Sequence, residues 1–383
     1  MQSDNHENNS SDYRVNVRTK ILKGLKEAGF TIVDGKTLFV SHEKEFVRKV
    51  HESSVRFLRE RKREFIEKVD GDFIEKYIIN GNELDIRNIK PKLVTVDDKR
   101  KSSLFNWIKL HWSIPISSGY GRRARYLVVD IGNSSVIGII GLSDPVYGLR
   151  DRDNFIGWSI ETKKTRLKHV MDAFVLGAVP PYSQILGGKL VASLITSTKI
   201  SNDFCRKYKG KKTLISGEIF DGKLAAITTA SALGKSSIYD RIKVEGGSQF
   251  HHIGWSRGSG EFQFYNGVYD DMFRIAHDHV LSSKNPKWGN GVRNRRTVIR
   301  TGLRILELPE ELLYHNIKRE LFFVPLGSKA REFLRGESKQ IRYYNKSTAD
   351  ISEFALKRWV IPRSQRKKDY QKFRKQDYSL LHR

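Results

Sequence analysis

Three short segments bring together residue types that chemistry would need. Gln184-Ile-Leu-Gly187-Gly188-Lys189 stands at the expected mouth of a helix. Glycines there let a ligand approach backbone N–H groups, and a helix N-terminus favours a pyrophosphate. A glycine pair before a helix also serves as plain punctuation. In Thr228 to Arg241, TTASALGKSSIYDR, hydroxyls at Thr228, Thr229, Ser231, Ser236 and Ser237 surround Gly234-Lys235. Gly-Lys-Ser invites a P-loop reading, but Thr229 stands where the first glycine belongs, so Walker A is rejected. Lys235, Ser236, Ser237 and Arg241 suit phosphate contact, with Tyr239 as proton donor or stacker. A serine-capped helix is the competing reading. In Asp144 to Trp158, DPVYGLRDRDNFIGW, Asp144, Asp151 and Asp153 join Glu161, Glu218 and Glu261 as carboxylates of the kind a Mg²⁺-dependent nuclease uses. Arg150 and Arg152 are equally suited to pair with those acids. His277-x-His279 beside Asp270 and Asp271 reads as surface, and no metal-ligand set is assigned.

Charge narrows the class of partner. Seventy Lys and Arg against forty-three Asp and Glu leave a net charge of +27 and a pI near 10.0 in 383 residues. Such an excess attracts polyanions at long range, and nucleic acid, DNA foremost, is the commonest. Arg122, Arg123, Arg293, Arg295 and Arg296 are expected on phosphates, with Trp158 and Tyr182 as stacking rings. The end of the chain interleaves basic residues with Trp359, Tyr370, Phe373 and Tyr378, which suits non-specific affinity. One cysteine, Cys205, excludes an intramolecular disulfide and a Cys-built zinc site. No signal peptide and no run of about twenty apolar residues is found, so a cytoplasmic protein without membrane partners is expected.

The elements that must hold these residues read as α+β. Residues 1–12 are expected as a disordered polar tail, and 13–95 as a helical N-terminal region. That region has a helix from Val15 to Ala28, a hairpin turning at Asp34-Gly35 and a long basic helix from Ser41 to Val69. Residues 96–280 form the core. Tyr126–Ile131 and Val136–Leu142 are strands. A helix starts at Gly187, buries Leu190, Val191, Leu194 and Ile195, and closes at Gly210. LISGEIF and KLAAITTAS are strands, SSIYDRI a short helix, and HHIGWSRGSGEFQFY a closing hairpin. Residues 281–383 are a basic C-terminal extension. There are no internal repeats.

IPISSGYGRRARYLVVD, IGIIGLSDPVYGLRDRDNFIGW, GAVPPYSQILGGKL, TTASALGKSSIYDRI and IGWSRGSGEFQF, in that order, resemble the DruA family. HNIKRELFFVPLGSKAREFLRGE and KRWVIPR extend the likeness over Leu104 to Arg363. That resemblance implies a DNA-directed role in Druantia anti-phage defence or on mobile DNA, with a helicase among the implied partners. It also implies a mixed-sheet core similar to the acetyltransferase-like (GNAT) fold, with Tyr126–Ile131 and Val136–Leu142 as its central pair. Gln184, Gly187 and Gly188 then match the start of an acyl-CoA-binding loop, while Lys189 replaces that loop's last small residue. Tyr239 stands where such enzymes carry an acid. Three readings follow: nucleobase modification through this site with Tyr239 as acid, metal-dependent cleavage through Asp144, Asp153 and Glu261, and non-catalytic recognition that recruits defence partners.

Overall fold

The computed structural model describes residues 3–41, 43–213, 217–244, 246–264, 267–281 and 292–381. The order is α1 (Ser3–Glu27), β1 (Thr31–Val33), β2 (Thr37–Phe39), α2 (Lys44–Glu60), α3 (Arg63–Tyr77), β3 (Pro91–Thr95) and α4 (Lys99–Lys109). Then come β4 (Arg123–Asp130), β5 (Ser135–Ser143), α5 (Arg150–Ile156), α6 (Ile160–Arg166), β6 (Val170–Ala178), α7 (Gly187–Ser193) and α8 (Thr198–Tyr208). The chain continues with β7 (Ala226–Ala230), β8 (His251–Trp255), α9 (Val268–Leu281), α10 (Val292–Ile305), β9 (Glu320–Pro325), α11 (Ala330–Arg335) and α12 (Thr348–Ala355).

A seven-stranded sheet runs in the order β3-β4-β5-β6-β7-β9-β8, and its one parallel pair is β6 with β7. The fold is therefore α+β with a mixed sheet. Every residue of β5 is buried, as expected of an inner strand covered on both faces. Tyr126 and Val128 join the core that holds Leu190 and Val191 of α7, whereas Leu127 and Ile139 pack with Phe73 of α3 and Trp107 of α4. A separate cluster unites Val17, Ile21 and Leu25 of α1 with Val47 and Val50 of α2 and Met272, Ile299 and Leu303 of α9 and α10. The N-terminal helices thus pack against helices more than two hundred residues away in sequence.

Several expectations meet a different outcome. α1 begins at Ser3, inside the stretch read as a tail. Its buried stripe of Val17, Ile21 and Leu25 anchors a helix onto which further turns add at little cost. The long basic helix is two, broken at Arg61-Lys62, because α2 and α3 bury their apolar residues in different clusters. The Gly187-started helix likewise breaks before Ser197, giving α7 and α8. Ser236–Arg241 is a turn rather than a helix. HHIGW is the edge strand β8, and it pairs with β9 instead of folding back on GEFQF. The hairpin β4–β5 is antiparallel, so the central opening lies between β6 and β7. Residues beyond 281 supply β9, which inserts between β7 and β8. No helix among the described residues is long and apolar enough to cross a membrane.

Candidate functional site

β6 and β7 pair only from Val170↔Ala226 to Ala173↔Thr229. Beyond that point β6 continues beside β5 to Ala178, while β7 ends at Ala230. Where they part, a cleft of about 520 Å³ opens. Its walls are Leu176–Ala178 of β6, Gly188 and Lys189 of α7, and Ser231–Tyr239 after β7. His111, Trp112, Tyr378 and the α2 cations Lys44 and Arg48 close the rest. Two of the three chemically suggestive segments therefore converge on one cavity.

The loop after β7 takes its shape from two side chains. Glu320, buried on β9, accepts the Ser236 N–H at 2.6 Å. The Ser236 hydroxyl accepts the N–H of Tyr239 at 2.8 Å. Those N–H groups are thus satisfied locally, and the helix expected at SSIYDRI does not form. Tyr239 is buried against Phe250 and Phe322, and its hydroxyl donates to the Leu176 carbonyl at 3.4 Å. Burial pushes the phenol up to about 12, so it stays protonated near neutral pH.

Lys189 donates to the Asp240 carbonyl at 3.1 Å and lies 5.6 Å over the Trp359 ring. Burial is the main cause lowering its proton affinity. Lys235 and Ser237 are exposed at the rim, while Ser236 is spent on the turn. Among the described lining residues the charged side chains are Lys44, Arg48, Lys189 and Lys235, and none is a carboxylate. Arg48 is tied to Glu45 on its own helix. Gly177 is obligatory, because a Cβ there would lie 2.2 Å from Trp112 Cζ2. Of the expected cofactor loop, Gly188 and Lys189 reach the cleft. Gln184 is exposed outside its lining, and Gly187 packs against the Tyr182 carbonyl, which a Cβ would approach to 2.6 Å.

The other candidates lie elsewhere, mostly with internal partners. Asp144 accepts from Arg122 Nε at 2.7 Å, and Arg122 also donates to the Lys168 carbonyl and faces the rings of Phe204, Tyr208 and Phe220. That guanidinium is held by partners within the protein. Asp153 is held by Arg152 and Lys163, both at 2.6 Å. Buried Glu261 faces Arg295 at 3.6 Å, in the cluster of α9 and α10. These carboxylates sit on different elements, and no metal-binding group of acidic, His or Cys side chains occurs among the described residues. Tyr182 is buried, bonded to Asp130 at 2.8 Å and Ser135 at 2.7 Å, so it cannot stack on a base. Trp158 donates its indole N–H to the Leu334 carbonyl. Arg296 stands 5.8 Å from the Tyr314 ring, and Arg300 and Arg304 both pair with Glu310. The side chain of Arg293 lies outside the described residues. Arg123 and Arg241 are exposed and open to a ligand.

One carboxyl escaped sequence reasoning. Asp172 on β6 accepts from Thr228 Oγ1 at 2.8 Å, and burial raises it to about 6. Nothing in the run VMDAF marks it, because the partner Thr228 arrives through the parallel pairing of β6 and β7.

A family model described as Druantia protein DruA matches residues 41–336, from the approach to α2 through α11. The chain belongs to the DruA family. A DruA relative, the Druantia protein DruA of Escherichia coli (strain UMEA 4076-1), is 34% identical over 371 residues. The alignment covers 94% of this chain and 90% of that one, so it includes the sheet, the cleft and the C-terminal strand. No solved structure matches this DruA chain.

Proposed function

We propose that this chain acts in Druantia anti-phage defence, or on mobile DNA, as a DNA-binding protein with a GNAT-like site in the cleft between β6 and β7. The observation that carries this reading is the cleft's charge: four cations and no carboxylate among its described lining residues. A cavity so lined attracts a ligand bearing phosphate groups. Lys189 and Lys235 would hold those phosphates as charge-assisted donors. Gly188 keeps backbone close to Ile238, and Trp112 with Leu176 forms an apolar wall. An acyl-CoA-type group fits this pattern of phosphate-binding cations beside an apolar wall, and when bound it would supply an activated acyl group. Tyr239, neutral and at the cleft wall, is the proton donor of the site. A base in duplex DNA would have to be flipped out to reach it.

Two features support a GNAT-like arrangement. The single parallel pair parts at its C-terminal ends, and a glycine-started helix follows the first of its strands. Strand cleavage is the weaker reading, since Asp144, Asp153 and Glu261 lie apart from one another and each is paired with a cation.

The test incubates purified protein with labelled single- and double-stranded DNA, with acyl-CoA and with Mg²⁺ or EDTA. A denaturing gel and mass spectrometry of the recovered nucleosides report the outcome. The expected result is an intact strand carrying a mass-shifted nucleoside, lost in Tyr239→Phe. Metal-dependent cleavage that disappears in Asp144→Ala would overturn the reading.

A further inference from the structure

Two more clefts, of about 410 and 440 Å³, share no lining residue with the central one but share a wall, the side chain of Tyr208. Tyr208 is pinned there by Arg123, whose N–H it accepts and whose carbonyl it bonds, both at 2.8 Å. The knot of Arg122 and Asp144 lies beneath. On one side of the ring stand Arg123, Arg125 and Lys207; on the other, Lys211 with the rings of Tyr120 and Tyr147.

None of Arg123, Arg125, Lys207 and Lys211 forms an ion pair with a described carboxylate, although acids on this chain pair freely elsewhere. Burial and the neighbouring like charges both act on them. Burial and then Lys211 and Arg125 lower Lys207, and burial and then Arg123 lower Arg125. Nearby Lys109 falls to about 8 through burial and the charges of Arg125, Lys62 and Arg123. The carboxylates that line these clefts, Asp203 and Asp144, are paired with Lys199, Arg206 and Arg122, and the repulsion left among the other cations is of the kind that a polyanion relieves. The rings supply the complementary chemistry. Tyr120 and Tyr147 are 40% and 47% exposed at the mouth of the 410 Å³ cleft. Lys163 covers one face of Tyr147 at 4.4 Å, and the ring surface that stays exposed beside the lysines suits unpaired bases, whose faces are available only in a single strand.

We propose that the groove across Tyr208 binds a single strand of nucleic acid, with phosphates on Arg123, Lys207 and Lys211 and bases against Tyr120 and Tyr147. The proposal rests on the DNA-binding reading above and adds the strand state and the surface.

The test measures fluorescence anisotropy of a labelled oligothymidylate, and of a labelled duplex, with full-length protein across a salt series. The variants are Arg123→Ala/Lys207→Ala/Lys211→Ala and, separately, Tyr147→Ala, with Lys23→Ala on α1 as a control away from every cleft. All five side chains are exposed, and matching melting curves confirm that each variant is folded. The triple variant is expected to lower the slope of log affinity against log salt by roughly 2. Tyr147→Ala should weaken single-strand binding roughly 5- to 150-fold, and Lys23→Ala should leave the slope unchanged. A wild type that binds neither DNA sinks both this groove and the DNA-binding reading. Binding with an unchanged slope in the triple variant overturns the groove alone. A duplex preference with no effect of Tyr147→Ala overturns the single-strand assignment.

Discussion

Asp70 is the best place to perturb the cleft without touching it. Buried on α3, it accepts the Trp107 indole N–H at 2.7 Å, the Ser379 hydroxyl at 2.6 Å and the Leu380 N–H at 3.2 Å. These bonds tie the end of the chain to α3 and α4. One residue earlier, Tyr378 stacks on His111 at 3.8 Å, and both rings line the central cleft. Asp70→Ala strands three donors, each costing about 1–3 kcal/mol if it stays buried and unpaired. The tail can partly swing into water, which limits the total to about 3–5 kcal/mol. A chain of 383 residues melts with an entropy near 0.8 kcal/mol per kelvin, so the melting temperature should fall by about 4–6 °C. Calorimetry would read that shift, and limited trypsin digestion at Lys372, Arg374 and Lys375 would report release of the tail. Asp70→Asn keeps the shape and one acceptor, so it should lie between wild type and Asp70→Ala. A fall under about 1 °C with the tail still protected would refute the reasoning.

Three more outcomes follow from particular contacts. Gly177→Ala must displace Trp112, whose Cζ2 would lie 2.2 Å from the new Cβ, and should cost about 1–3 kcal/mol by denaturant titration while constricting the cleft. Asp172 has its folded value raised to about 6 from 3.8, so the folded state binds the proton more tightly. Its ionised form therefore disfavours folding above pH 6, and the penalty fades as pH falls toward 4. Asp172→Asn should accordingly raise the melting temperature at pH 7.5 and lose that gain below about pH 4. Tyr239→Phe removes a long bond to the Leu176 carbonyl and the phenol's hydrogen bond with Thr229, so stability should drop by about 1–2 kcal/mol and DNA affinity should hold, while any nucleoside modification disappears.

Local patterns were legible in the sequence where they were short and self-contained. The Asp34-Gly35 turn joins two short strands, β1 and β2, as expected, and the β4–β5 hairpin matches its apolar runs. Gly187 starts α7 as expected. Long-range packing was not legible. Tyr182 and Arg122 are residue types that bind ligands when exposed, and their burial is decided by Asp130 and by Asp144 with three aromatic rings. β9 is a short apolar run like many others, and only its neighbours β7 and β8 make it an inserted strand. The same holds for the site: Lys189 and Lys235 lie in separate segments, and the parting of β6 from β7 brings them to one cavity. Lys44 and Arg48 belong to the basic helix expected from Ser41, and nothing in that run marks these two as cleft residues.

The most direct test of the central claim is titration calorimetry of acyl-CoA, a nucleoside triphosphate and inorganic pyrophosphate into wild type and into Lys189→Ala/Lys235→Ala. The account predicts that at least one of these ligands binds the wild type, with affinity that falls as salt rises. The double variant should bind it about 100-fold more weakly, from the loss of two charge-assisted bonds. No binding by any of the three, or equal binding by the double variant, would contradict the claim that this cleft holds a phosphate-bearing ligand.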